Sequence, residues 1–330
     1  MNIYVVIVTY GNRFDFCKQA IISCVKNKIK KIVIVDNGSN YESSEKLKEY
    51  SNKYKNIIEL IPLMKNCGSA YGFKIGIEYA YQREDCDYIL LLDDDNVLDE
   101  NYNLNLKLIL DENERKNKKN IIAYSSYRPA LKQYENKKIK KNTFIGFHIN
   151  QIPVKFKKLI LNKFKTKQLS NKILNNQIIV DTAPYGGFLF HKSLIDKIGF
   201  PNEFFVLYQD DLEFTYRIKN KNGLIYLLKS CIVKDVQSSC GGEKNENSFV
   251  PFLNINNSKI YYNIRNCIYF EKYLKNNNNL IRNINMIIYL ILIKCYLLLK
   301  NNIKKYKIIL EAINDGNNGI LGYNEKYPLL

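Results

Sequence analysis

Three short runs dominate what this sequence can become: Ile3 to Tyr10, Lys31 to Val35 and Tyr88 to Leu92 are apolar almost without interruption, and each stops at small polar or acidic residues. Runs without polar alternation read as strands covered on both faces, the pattern of parallel sheets. Between the first two, Phe14 to Lys26 reads as a helix with Phe14, Cys17, Ile21, Cys24 and Val25 along one side. Strand, helix and strand with short connections predict an α/β fold with a mostly parallel central sheet flanked by helices. A third strand is expected near Ile58 to Pro62, followed by a helix opening at Asn66-Cys67-Gly68-Ser69. In that helix Gly68, Gly72, Gly76 and Ala80 fall on one face, which lets it approach a sheet or a ligand closely.

Ligands of such sheets bind beyond the carboxyl ends of the strands, so the residues at those ends carry the functional reading. Thr9 and Tyr10 lie at the first end and Asp36-Asn37-Gly38-Ser39 at the second. Turn chemistry explains Asn37, Gly38 and Ser39; the Asp36 carboxylate stands where a sugar or base donor can reach it. The apolar run at Leu92 passes directly into Asp93-Asp94-Asp95-Asn96. Adjacent carboxylates repel one another and call for solvent or a cation. In an extended segment Asp93 and Asp95 point to one side and suit a hard ion, Mg2+ or Mn2+, while Asp94 turns toward a ribose hydroxyl. No GxxxxGK[ST] occurs, and no GxGxxG follows the first strand, so phosphate-loop and dinucleotide readings fail.

A helix over Asn101 to Asn113 and a strand over Ile121 to Ser125 are expected next. Further on, Gly186-Gly187 gives close backbone access before the strand at Phe188, and a helix is expected from His191 or Ser193 to Ile198. Another begins at Gln209-Asp210-Asp211-Leu212-Glu213; capping accounts for one acid there but not for the cluster. Transfer of a sugar from a nucleoside diphosphate needs a cation on the leaving group and a base beside the acceptor hydroxyl. Asp93 and Asp95 suit the first task, and Asp211 or Asp210 the second. His148 and His191 lie outside these clusters.

The runs VVIVTYGN, IVIVDNGS, NCGSAYGFKIGIEYA and YILLLDDDNVLD together resemble the nucleotide-binding half of family 2 inverting glycosyltransferases of the GT-A fold. APYGGFLFHKSLIDKIGF and FFVLYQDDLEFTYRI are similar to the acceptor half of bacterial rhamnosyltransferases and galactofuranosyltransferases in that family. The resemblance spans roughly residues 2 to 235. It implies a Rossmann-like sheet, Thr9 and Asp36 at the nucleotide base, Asp94 at the ribose, and Mn2+ or Mg2+ on Asp93 and Asp95. It also implies Asp211 as general base, with Asp210, Gly186 and Gly187 toward the acceptor. Galactofuranosyltransferase-like members often carry a further metal-binding histidine some twenty-odd residues after the base. Here the region reads Ser230 to Val236, where Asp235 is the candidate replacement and a strand-end acid the alternative. The implied donor is a UDP or dTDP sugar, rhamnose or galactofuranose favoured. The implied acceptor is a glycan or lipid-linked hydroxyl in capsule or lipopolysaccharide synthesis.

The 330 residues divide by this reading into a catalytic domain over 1–250 and a helical C-terminal region over 251–330. The former comprises a nucleotide-sugar half (1–125), a basic insertion (126–177) and an acceptor half (178–250). The net charge of +18 calls for an anionic partner. Thirteen Lys/Arg against Glu135 alone lie between Arg128 and Lys172; a lid, a membrane-side insertion and an acceptor-side loop all fit. No finger, helix-turn-helix or RNP-like run supports nucleic acid as the partner. A nucleotidyltransferase is the rival enzyme, though residues 9–15 lack the glycines of its phosphate loop. Eight cysteines without CxxC spacing read as buried thiols in a reducing compartment, and Met1 to Asn12 lacks a secretory leader. The C-terminal third is expected to hold the enzyme at the inner face of a membrane, or else to pack in the core or a homo-oligomer. Tyr261-Tyr262-Asn263-Ile264-Arg265-Asn266 opens an aromatic, basic helix there. The sixteen-residue run from Ile284 to Leu299, strongly apolar and broken only by Asn285 and Lys294, with Tyr289 and Tyr296 placed at the interface, falls short of the roughly 20 that span a bilayer.

Overall fold

A computed structural model describes residues 1–116, 121–131, 177–237, 256–274 and 279–329. The basic segment, His148 and the 250/251 boundary lie outside these residues, apart from Arg128 to Leu131. The three apolar runs become β1 (Ile3–Gly11), β2 (Lys31–Ser39) and β4 (Tyr88–Asp93), with β3 (Ile58–Leu63) beside β2. The remaining strands are β5 (Asn96–Leu98), β6 (Ile122–Tyr127), β7 (Gln177–Val180), β8 (Phe188–His191) and β9 (Leu224–Asp235). Their order is 3-2-1-4-8-6-9-5, with β7 also pairing with β9. Strands β3, β2, β1 and β4 run parallel; β8 is antiparallel to β4 and β6, and β9 returns parallel to β6.

Both faces of this sheet are covered, and the strands sort their side chains accordingly. Ile3, Val5 and Ile7 of β1 join one core with residues of α1 (Phe14–Lys26), α2 (Tyr41–Lys53) and α4 (Tyr102–Lys116). Tyr4, Val6 and Val8 face the other, with α3 (Ser69–Tyr81), α5 (Ile195–Ile198) and α6 (Asp210–Asn220). The glycine face of α3 lies on β1: a Cβ at Gly76 would stand 2.3 Å from Val6 Cγ1, and one at Gly72 2.6 Å from Val8 Cγ1. Cys17, Cys24, Cys86 and Cys231 are buried free thiols. After β8, a 3-10 turn over Lys192–Leu194 precedes α5, so the expected helix starts later than His191.

The C-terminal helices α7 (Asn257–Tyr269), α8 (Asn279–Leu299) and α9 (Lys304–Asn317) enclose a third core, which also takes in Val206. Two expectations change here. The Tyr261, Tyr262, Arg265 and Asn266 side chains are all at most 1 % exposed, so this run faces inward and offers no interfacial surface. Helix α8 is 21 residues long, and Leu280–Leu299 is long and apolar enough to cross a membrane. It had read as shorter because Arg282 and Asn283 stand just before Ile284; Arg282 turns into the core, as do Asn285 and Tyr289.

Candidate active site

The carboxyl ends of β1, β2 and β4 lie level, with Thr9 opposite Asp36 and Val8 opposite Asp93 in the register. Beyond them opens a cavity of about 390 Å³, within the range of small-molecule sites. Asn37, Asn66, Gly68 and Ser69 line one part, Asp93, Asp94 and Asp95 another, and Tyr208, Ser258 and Lys259 a third. Five sequence elements therefore meet at one hole.

The acidic triplet is not extended. Asp94 and Asp95 form a turn between β4 and β5, and the Asp93 amide donates to Asn96 Oδ1 at 3.1 Å. The reasoning that sent alternate acids to opposite sides does not apply, because a strand's alternation ends where the chain turns; all three line the cavity. Each acid has a cation. Arg13 donates to both oxygens of Asp94 at 2.6–3.0 Å, and its Nη2 lies 3.5 Å from Asp95. Arg128 lies 3.1 Å from Asp93 and pairs with Asp235. Burial, followed by the charges of Asp93 and Asp94, pushes the Asp95 carboxyl up to about 6. Burial also raises Asp94, against the pull of Arg13.

The other candidates fall as follows. Thr9 is buried and donates to Asp94 Oδ2 at 2.9 Å. Asp36 is 2 % exposed and accepts from the Ser39 amide and the Ser44 hydroxyl, a turn-closing role. Its neighbour Asn37 lines the cavity instead. Gly186 is packed where a Cβ would stand 2.1 Å from Arg128 Nη1 and 2.7 Å from Asp93 Oδ2, so glycine there admits the ion pair. Gly187 bonds into the sheet, donating to Leu91 and accepting from Ser126. His191 is exposed and its Nδ1 lies 2.8 Å from Ser193 Oγ.

Asp210 and Asp211 open α6 on the far side of Ser69. Ser69 Oγ donates to Asp210 Oδ2 at 3.1 Å, joining a cavity residue to the second acid pair. Asp210 is 3 % exposed; burial and then the charge of Asp211 hold its carboxyl well above the usual range. Asp211 is half-buried. The loop before them is strained: Val206, Tyr208 and Gln209 all have φ between +64° and +66°, a region that non-glycine residues enter at about 1–3 kcal/mol each. Helix α7 holds it there. Asn266 Nδ2 lies 2.7–2.9 Å from the carbonyls of Phe205, Leu207 and Tyr208, and Arg265 donates to those of Phe205 and Gly322. Gln209 donates to Asn263 at 2.9 Å.

The fit of a divalent ion can be judged from these groups. Carboxylate oxygens are the donors that Mg2+ and Mn2+ prefer. Asp93, with 41 % of its side chain exposed, is accessible, and Asp235 Oδ2 is buried without a hydrogen-bond partner. Among the described residues, however, no three His, Cys, Asp or Glu side chains form a ready-made cation site; guanidinium groups bridge the acids instead. The donor chemistry fits, provided an arginine gives way. Arg13, Arg128, Lys259 and Asn266 were not legible as site residues from their sequence positions.

The family profile of glycosyl transferase family 2 matches residues 4–183, more than half of the chain and all of the first acid cluster except Asp235. The chain belongs to glycosyl transferase family 2. Its fold is the GT-A fold, similar to that of GalNAc-T7 solved with UDP, GalNAc and Mn2+. That likeness has 13 % identity and a TM-score of 0.55, covering 83 % of this chain and 49 % of GalNAc-T7. The family 2 chain thus spans about half the length of that enzyme. S. aureus TarS is similar at 13 % identity and a TM-score of 0.48, covering 82 % of this chain and 39 % of TarS. Its 1–349 portion gives 14 % identity and a TM-score of 0.47, with 99 % and 98 % covered. No curated protein matches the sequence.

Proposed function

We propose that this glycosyltransferase moves a sugar from a nucleoside-diphosphate donor, UDP- or dTDP-linked, to a hydroxyl of a glycan or lipid-linked acceptor with inversion of the anomeric centre. The observation that carries it is the shared cavity, in which the Asp93–Asp95 turn, the start of α3 and Lys259 line one space beyond a parallel sheet. Backbone N–H groups at a helix start and a lysine suit phosphate oxygens. Asn37 takes the base contact expected of Asp36, and Thr9 orients Asp94 for the ribose. A divalent ion, Mn2+ or Mg2+, held by Asp93 and Asp95 supplies charge that stabilises the diphosphate leaving group. Asp235, whose Oδ2 is buried without a partner, would join them as a third ligand once the Arg128 guanidinium that bridges it to Asp93 gives way.

Asp211 takes the proton of the acceptor hydroxyl as that oxygen bonds to the anomeric carbon and the bond to the diphosphate oxygen breaks. Asp210, whose carboxyl burial and the charge of Asp211 raise well above the usual range, resists a second negative charge beside the base and orients the acceptor. Rhamnose or galactofuranose is the favoured sugar, in capsule or lipopolysaccharide synthesis, on the resemblance of residues 183–200 and 204–218 to those transferases. Mass spectrometry of products from a panel of nucleotide sugars, with Mn2+ and a set of glycan and lipid-linked acceptors, tests this. Transfer from one UDP or dTDP sugar is expected; turnover of none of them, with folded protein, contradicts it.

A further inference from the structure

Helix α8 has two apolar faces, and only one is covered. Tyr289, Ile293 and Leu297 are at most 2 % exposed in the C-terminal core. On the opposite side Leu280, Ile284, Ile287, Ile291 and Leu298 are between 45 % and 70 % exposed. Their spacing of four, three, four and seven residues aligns them in one stripe, about 27 Å long at 1.5 Å per residue. A stripe of this extent is more than the scattered apolar residues of an ordinary surface.

Charge decides what covers it. From Lys272 to Leu310 the sequence has eight Lys or Arg and no Asp or Glu. Lys294 lies within the stripe, between Ile291 and Leu298, where its long aliphatic chain can carry the ammonium out to the headgroups, and Lys300, Lys304 and Lys307 are exposed just past the helix end. A second copy docked on this face would bury Lys294 of both chains in an interface whose own segment, Lys272 to Leu310, offers no acid to pair with them. An anionic lipid surface offers hydrocarbon for the stripe and headgroup charge for the lysines. We infer that α8 lies in the plane of an anionic membrane, with its Leu280–Leu298 stripe in the acyl boundary and its lysines at the headgroups. Although α8 is long enough to span, spanning would strip Asn285, Tyr289 and Ile293 from the core they share with α7 and α9. The inference rests on no step of the transfer chemistry.

The test is flotation of the full chain with vesicles of phosphatidylcholine alone and with phosphatidylglycerol added, at low and high salt. Wild type is expected to bind the anionic vesicles and to release as salt rises. The I284Q/I287Q/I291Q variant should bind at least about tenfold more weakly, as burying apolar area drives interfacial helices. K300Q/K304Q/K307Q should lose about fivefold per lysine, about 1 kcal/mol each near an anionic surface. All substituted side chains are exposed, so circular dichroism and thermal melting should match wild type. Folded, monodisperse wild type that ignores anionic vesicles overturns the inference, as does unchanged binding by both variants. Light scattering that shows a dimer dissociated by the isoleucine changes also overturns it, in favour of a second copy as the occupant.

Discussion

At the end of β4 the carboxylates of Asp93, Asp94 and Asp95, with Asp235 beside them, face two guanidinium groups, Arg13 and Arg128. At the start of α6, Asp210 is buried beside Asp211 with the Ser69 hydroxyl on one oxygen, and burial favours its proton. The first cluster is balanced by the charges of the two arginines, and the proposed transfer would have a divalent ion replace one of them. In the second, burial rather than a cation decides the balance and shifts Asp210 toward its protonated form. Similar side chains thus carry different chemistry because their surroundings compensate them differently.

The comparison breaks first at Asp211. The D211N variant should keep nucleotide binding and lose transfer by about 10²- to 10⁴-fold, the range of general base catalysis. Near-normal turnover in a steady-state assay would give the role to Asp210 or to a group outside the described residues.

A second effect is on stability. Removing one partner of a buried ion pair costs about 3–5 kcal/mol, because the other charge is left uncompensated. R128A should lower the unfolding free energy in urea on that scale. R128A/D235N should recover much of the loss, since it also removes the stranded carboxylate. A double variant as unstable as R128A would mean that Arg128 stabilises through packing.

Asn266 links the two regions without touching either set of acids. N266A removes its bonds to three carbonyls of the strained 205–208 loop, a loss of about 1–3 kcal/mol for buried groups left unpaired. Turnover should fall about tenfold or more as Asp210 and Asp211 lose their placement, with the metal dependence of nucleotide binding preserved. Loss of stability with unchanged turnover would reduce Asn266 to a structural role.

The smallest effect sharpens the protonation half of the comparison. The Asp210 carboxyl is raised in the folded state, so the native protein holds that proton at pH values where the unfolded chain releases it. Stability from Asp210 is therefore fully present below the unfolded carboxylate value of about 3.9 and is lost as pH rises toward the folded value. D210N has no such loss, so its melting temperature relative to wild type should rise as pH increases above about 4. A difference that stays flat with pH would show that Asp210 is ionised throughout.

The sheet was legible because β1, β2 and β4 are buried on both faces, which writes unbroken apolar runs into the sequence. The glycine face of α3 and the Asp93–Asp95 triplet were visible for similar local reasons. Arg13 and Arg128 were not, since they meet acids 81 and 107 positions away through the fold alone. Asp94 and Asp95 read as extended because the apolar strand before them gives no sign of the turn. The 261–266 run read as a surface because tyrosine and arginine are common there. Inside, the Arg265 guanidinium stacks on Tyr262 at 4.8 Å and binds carbonyls, which only tertiary contacts disclose. Arg282, just before Ile284, concealed the length of α8 for the same reason: it faces inward.

The claim on which the rest depends is that the β4 acids exchange an internal guanidinium for a divalent ion when nucleotide diphosphate binds. Calorimetric titration of UDP and dTDP into the full chain, with and without Mn2+, measures it most directly. The account predicts that Mn2+ tightens binding of one nucleotide by about tenfold or more, and that this gain disappears in D93A and D95A. Nucleotide binding of the same affinity with and without Mn2+, unchanged in both variants, would contradict it.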